Sequence, residues 1–273
     1  MFYVLSGVLT RIVSNSCINV FQKLLAKENK SSVVNFYTYL GLSCFSLLLI
    51  PFLKISYSPI LAFNVIIMGL LGALGNYFII KALSIGELSS LAPVNSYKPI
   101  VSMVFAFIFL GELPTFQALI GILFIIAGTY FLYNEFNCNK KALYFRILAL
   151  IFSGTEAVFI KKIILLSNVP TSFMLWAFSG LLFSFLFLRA AKFNFKIYSL
   201  KNLIFLIISA AIMQLSTNYV FSKMNVSYAL ALFQLSAILS VFLGINIFHE
   251  KDLLRKIIAS TVMVFGAVII ILG

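Results

Sequence analysis

Three ionisable side chains stand inside long apolar runs: Arg11, Lys98 and Glu156. A charge at the centre of a membrane-spanning helix costs about 2.5–3.5 kcal/mol on insertion scales, so it persists only beside a partner or a wet cavity. Two chemistries follow. Arg11 and Lys98 can attract a carboxylate or a phosphate, and Glu156 can take up and release a proton. Arg11 could also snorkel to the nearer surface, and any two of the three could form a structural ion pair. Lys98 and Glu156, near the centres of their runs, favour a cavity.

Neutral polar residues run beside these charges at helical spacing. Arg11, Asn15, Asn19 and Gln22 fall at i, i+4, i+8 and i+11, one stripe on a helix. Asn95, Lys98 and Ser102 repeat the pattern, as do Gln214, Asn218 and Ser222. Asn76, Gln234, Ser236 and Ser240 add further polar groups. Interhelical hydrogen bonding explains scattered Ser and Thr, but not a four-residue stripe that includes an Arg. The expected binding set is Arg11, Asn15, Asn19, Asn76, Asn95, Lys98, Gln214, Asn218 and Gln234. Tyr77, Tyr97, Trp176 and Tyr219 are expected to stack on the ligand or gate it, and Glu156 to couple a proton.

The elements that must hold these residues follow from composition. The 273-residue chain is 62% hydrophobic and only 10% charged. A soluble domain carries about 25% charged residues, and disorder needs low hydrophobicity. An integral membrane protein is left, helical because its apolar runs are continuous. Ten spans are expected. The first five run about 2–25, 32–53, 60–83, 88–110 and 115–133, the second five about 142–166, 171–188, 202–224, 227–248 and 253–272. With about 20 residues per span, no room remains for a soluble domain. The opening MFYVLSGVLT lacks a basic start and a small-residue cleavage site, and is read as a retained span. Spans 5 and 10 carry no polar stripe and should lie at the periphery, where they offer a candidate homodimer face.

The chain divides at the polar segment 134–141 into repeats at 1–136 and 137–273. Phe21 and Lys23 recur as Phe159 and Lys161, Gly111-Glu112 aligns with His249-Glu250, and Gly128 with Gly266, all at one spacing. Asn76-Tyr77 and Lys81 align with Asn218-Tyr219 and Lys223 at a spacing about one helical turn longer. Five spans per repeat force the second repeat to enter the membrane from the opposite side. The fold class is therefore all-α, ten transmembrane helices as two inverted-topology five-helix repeats, a plan that places a site at the repeat interface.

Net charge is +13. The positive charge is assigned to membrane orientation and not to nucleic acid. Lys and Arg such as Lys27, Lys30, Lys140, Lys141, Arg146 and Lys251 flank odd-numbered connections. Lys54, Lys161, Lys162 and Lys223 flank even-numbered ones. On that count both termini lie outside the cytoplasm. Cys17, Cys44 and Cys138 have no metal-ligand spacing, and the single Asp (Asp252) and single His (His249) build no metal site or relay. No phosphate-binding loop is present. Neither a cofactor nor an enzymatic activity is expected.

The motif Ala82-Leu83-Ser84, then Leu91-Ala92-Pro93-Val94, then Phe109-Leu110-Gly111-Glu112, then Gln117 to Gly121 and Gly128, resembles the EamA module of the drug/metabolite transporter superfamily. The second half keeps Glu250 and Gly266. It departs by placing Leu235 or a neighbour where the module has proline, and His249 before the Glu. The resemblance implies a multi-pass transporter of the cell membrane, such as a bacterial inner membrane. Its central cavity would be lined by spans 1–4 and 6–9, and both termini would be cytoplasmic, against the charge count. The leading expectation is a secondary transporter that moves a small polar, anionic solute by alternating access. A multidrug exporter of cations and a non-transporting membrane scaffold are the alternatives.

Overall fold

The computed structural model describes residues 2–54, 57–86, 91, 94, 97–132, 139–190, 197–236, 239 and 253–272. Asn95, Pro93, Ser240, His249, Glu250 and Asp252 lie outside that set. Ten helices have defined bounds among the described residues: α1 (Phe2–Glu28), α2 (Ser31–Ser46), α3 (Pro59–Ile85), α4 (Lys98–Leu110), α5 (Phe116–Leu132), α6 (Lys140–Leu166), α7 (Val169–Ala190), α8 (Leu200–Phe221), α9 (Val226–Phe233) and α10 (Leu253–Leu272). No strand occurs among the described residues. Among the described residues, five helical segments are long and apolar enough to cross a membrane: Phe2–Glu28, Ser31–Phe52, Pro59–Ile85, Val169–Phe187 and Leu200–Phe221. Apolar side chains on most helices point outward, among them Leu9, Ile66, Phe107, Leu123, Leu182 and Phe265, as a lipid-facing surface requires.

Local sequence sets the helix ends. The Ser58 hydroxyl accepts the Leu61 N–H at 3.1 Å and Pro59 opens α3, where a missing N–H does no harm. The Asn139 side chain accepts the Lys141 N–H at 2.9 Å before α6. α2 gives way to a 3₁₀ turn at Leu47–Phe52 that contains Pro51. The proline ring crowds the carbonyl four residues back, at Leu47, where the α-helix stops.

Two of the expected spans are interrupted at described residues. The expected span 88–110 has a helix with defined bounds only from Lys98, with Pro99 in its first turn. The Tyr97 amide reaches Val94 O at 3.3 Å, a tight three-residue step just before it. The expected span 227–248 begins as α9 but leaves the α-helix after Phe233. There the Gln234 and Leu235 amides bond Ala231 O and Leu232 O, three residues back.

Helices from the two halves of the chain pack against each other. α1 lies along α8 and α3 along α6, while α2 packs on α7, α4 on α9 and α5 on α10. The connections pair too. Asn29 donates to Tyr198 O at 3.3 Å and accepts the Tyr198 N–H at 2.7 Å. Asn168 donates to Phe52 O at 2.8 Å. α5 and α10 meet through glycine: a Cβ on Gly121 would sit 2.6 Å from Gly266 O, and one on Gly266 equally close to Gly121 O. The small residues of this outlying pair are thus spent within the chain.

Candidate solute-binding site

The Glu156 carboxylate is built into a shaped recess. Glu156 sits midway along α6 and is buried. Its Oε1 accepts the Trp176 Nε1–H of α7 at 2.6 Å. Opposite, α3 presents Gly72. A Cβ there would collide with Glu156 Oε1 and lie 3.0 Å from its Cδ, so only glycine leaves the carboxylate its place. Tyr39 of α2, 1% exposed, closes the recess, its ring centroid 5.2 Å from that of Trp176. Its hydroxyl faces the same Gly72, 3.2 Å from the position of a Cβ.

One cation, Lys98, faces this acid, and Arg11 lies near Lys98. Lys98 begins α4, and α4 packs on α6 where Gly154 leaves room for Val101. The Lys98 ammonium lies within electrostatic reach of Glu156, and also of Arg11 and Arg146. Arg11 is not snorkelled to a surface. Its Nε donates to Thr217 Oγ1 of α8 at 2.8 Å and its guanidinium lies 4.9 Å from the Phe233 ring centroid of α9. Its Nη1 is buried with no hydrogen-bond partner. One residue along α8 from Thr217, Asn218 Nδ2 is also buried and unpartnered, while its Oδ1 accepts Gln214 Nε2 at 2.8 Å. Two unmatched donors therefore lie in the α1–α8 seam. Buried donors are rarely left so, and an anionic acceptor is what would satisfy them.

The remaining expected residues divide between this centre and other places. Asn15 donates to Ser236 Oγ at 3.0 Å, which ties α1 to the broken end of α9. Gln234 is buried there and donates to Leu230 O at 3.0 Å. Asn19 is half-buried one turn further along the α1 stripe. Asn76 belongs to a separate chain of bonds: Gln22 Nε2 donates to Asn76 Oδ1 at 3.0 Å, and Asn76 Nδ2 to Asn35 Oδ1 at 2.6 Å. Tyr77 accepts from Lys81 at 3.3 Å and packs on Phe78 and Phe187, within an aromatic cluster. Tyr97 is 44% exposed. Tyr219 lines a shallow groove with Tyr3, Ser6 and Thr10.

Several participants were not anticipated. α2 carries its own buried stripe, Ser32, Asn35, Tyr39, Ser43 and Ser46, at i, i+3, i+7, i+11 and i+14. The spacing was present in the sequence, but no charge drew attention to it. Arg146, assigned above to a loop-flanking cluster, is corrected by the structure. It is 5% exposed, within α6, and its Nε donates to Leu91 O at 3.3 Å. Among the described residues no group of three or more His, Cys, Asp or Glu comes together as a metal site.

No curated protein matches the sequence. A solved crystal structure of a protein shares the fold, with a TM-score of 0.77 over 98% of this chain and 96% of its own, at 15% sequence identity. Residues 3–134 match the model of the EamA-like transporter family. The chain is thus a multi-pass helical membrane protein whose first half is similar to the EamA-like transporter family.

Proposed function

We propose that the protein is a secondary transporter that moves a small anionic metabolite by alternating access through ten spans, arranged as two inverted repeats at 1–136 and 137–273. The helix packing supports the repeat. Exchanging each helix with its counterpart five places along turns the α1–α8 pair into α6–α3, and leaves α2–α7, α4–α9 and α5–α10 as they are. The link bonds behave the same way. Asn29, between α1 and α2, holds the α7–α8 connection, and Asn168, between α6 and α7, holds the α2–α3 connection. In such folds the solute binds at the repeat interface, beside interrupted helices.

The observation that carries the substrate class is the pair of unmatched buried donors, Arg11 Nη1 and Asn218 Nδ2, with Lys98 nearby. Glu156 speaks against a cationic drug as substrate, because its carboxylate is engaged by Trp176 and balanced by Lys98. A thermal-shift screen of detergent-purified protein tests the reading. Carboxylates, phosphate esters and nucleotides should include the stabilisers, and lipophilic cations should not. Lys98→Ala should then lose at least about tenfold in affinity for the solute found, one charge-assisted contact. Stabilisation by cations alone, or unchanged affinity in Lys98→Ala, would sink the anion site. A homodimer remains part of the proposal. Its contact would use the outer, lipid-facing side of α5 and α10, where Leu123, Phe131, Val264 and Phe265 are exposed.

A further inference from the structure

A second cluster joins the two halves of the chain beyond the central charges. Glu112, in the α4–α5 link, forms an ion pair with Lys161 of α6. Its other oxygen accepts the Val226 N–H, the first amide of α9, at 2.9 Å. Lys161 also donates to Met224 O, in the α8–α9 link, at 2.9 Å. Three residues on from Glu112, the Thr115 N–H donates to the Tyr228 hydroxyl at 2.7 Å. The paired side chains are each 11% exposed, and each charge has a second partner. A carboxylate at a helix N-terminus is further favoured by the peptide dipoles. Beside it, the Lys162 ammonium lies 5.0 Å from the Phe109 ring centroid.

Every helix tied by this cluster also carries part of the central site. α4 begins with Lys98 and leads into Glu112. On α6, Glu156 and Lys161 are five residues apart, about 7.5 Å along the axis. α9 begins at Val226 and ends at Phe233, which lies against Arg11. A shift of α4 or α9 relative to α6 at the site therefore has to strain or break the outer bonds. We propose that Glu112, Lys161, Tyr228 and the Val226 amide form a latch that holds one entrance to the central site closed. The site governs its release through α4, α6 and α9. This rests on the alternating-access reading above.

The test follows a reporter cysteine, Leu230→Cys, buried on α9 between latch and site. A second reporter, Leu25→Cys, is buried near the far end of α1. Both are placed in protein whose Cys17, Cys44 and Cys138 are replaced by serine. A charged methanethiosulfonate reagent is applied to the protein in proteoliposomes. Glu112→Gln should raise the labelling rate at Leu230→Cys about tenfold by populating an otherwise minor open state, and leave Leu25→Cys unchanged. Tyr228→Phe removes only the two bonds between its hydroxyl and Thr115, a milder change than the loss of a buried charge, and should raise the rate by a smaller factor. No rise at Leu230→Cys in either variant overturns the latch. So does an equal rise at both reporters, which would mark general loosening. Labelling needs no solute, so the latch and the transporter reading fail separately. A rise at Leu230→Cys in a chain that moves no solute upholds the latch and refutes transport.

Discussion

Arg11 keeps a full charge inside the bundle with one hydrogen bond, one aromatic contact and one amine that bonds nothing. A fold selected for stability alone would not retain it. An unmatched buried donor costs about 1–3 kcal/mol, and a bond to a charged group returns about 1.5–3 kcal/mol only when an acceptor arrives. Arg11→Met should therefore separate function from stability. The apparent melting temperature of the solute-free protein should hold or rise, while anion affinity falls at least about tenfold. Parallel falls in both would show that Arg11 is structural. Gly72 makes the converse case. Gly72→Ala places a methyl where Glu156 Oε1 now lies, and overpacking of this kind costs about 1–3 kcal/mol. The Glu156 carboxylate must move, so the hydrogen bond to Trp176 should lengthen or break. Trp176 is the single Trp in the chain, and its fluorescence reports that change directly.

At the scale of the element, α4 and α9 are the interrupted helices, and each ends or begins at a charge contact. Gly111 closes α4 with φ 66°, a left-handed conformation, and no neighbour would meet a Cβ there. The constraint is therefore conformational and not steric, and Gly111→Val should cost about 1–2 kcal/mol through the backbone alone. Because the turn aims Glu112 at Lys161 and Val226, Gly111→Val should also mimic Glu112→Gln in reporter labelling. A stability loss with no change in labelling would detach the turn from the latch. Much of this layer was legible beforehand. The Arg11–Asn15 stripe on α1 and the Gly-Glu turn are local patterns, and a helix writes its buried face as a period of three to four residues. What was not legible is which helix each stripe meets. Thr217 on α8 as the Arg11 partner, and Gly72 as the space for Glu156, are contacts across about 206 and 84 residues of chain, and no local spacing encodes them. Arg146 was missed for a related reason. A basic residue two turns into a span reads as a loop-flanking charge, until the neighbouring backbone at Leu91 supplies an acceptor.

Across the whole molecule, Lys98 together with two further cations and one acid in its electrostatic reach forms a charge balance that, on the proposed reading, solute and proton would both alter. Lys98 is balanced by Glu156 and opposed by Arg11 and Arg146. On the proposed reading, an arriving anion would compete with Glu156 for Lys98, and a proton on Glu156 would remove that competition. Solute and proton would then favour each other's binding, and linkage makes such an effect reciprocal. The carboxylate is bonded by Trp176 of α7, faces Lys98 of α4 and is enclosed by Tyr39 of α2 and Gly72 of α3. Glu156→Gln keeps shape and a hydrogen-bond acceptor for Trp176 but carries no proton to release. In proteoliposomes with whichever anion the thermal-shift screen selects, an imposed pH gradient should drive accumulation by the parent protein. In Glu156→Gln it should drive none, while exchange of internal for external solute continues at a comparable rate. Accumulation that persists in Glu156→Gln would remove the proton role from this residue. Loss of both accumulation and exchange would make Glu156 a structural or binding group, and would place any coupling elsewhere in the bundle.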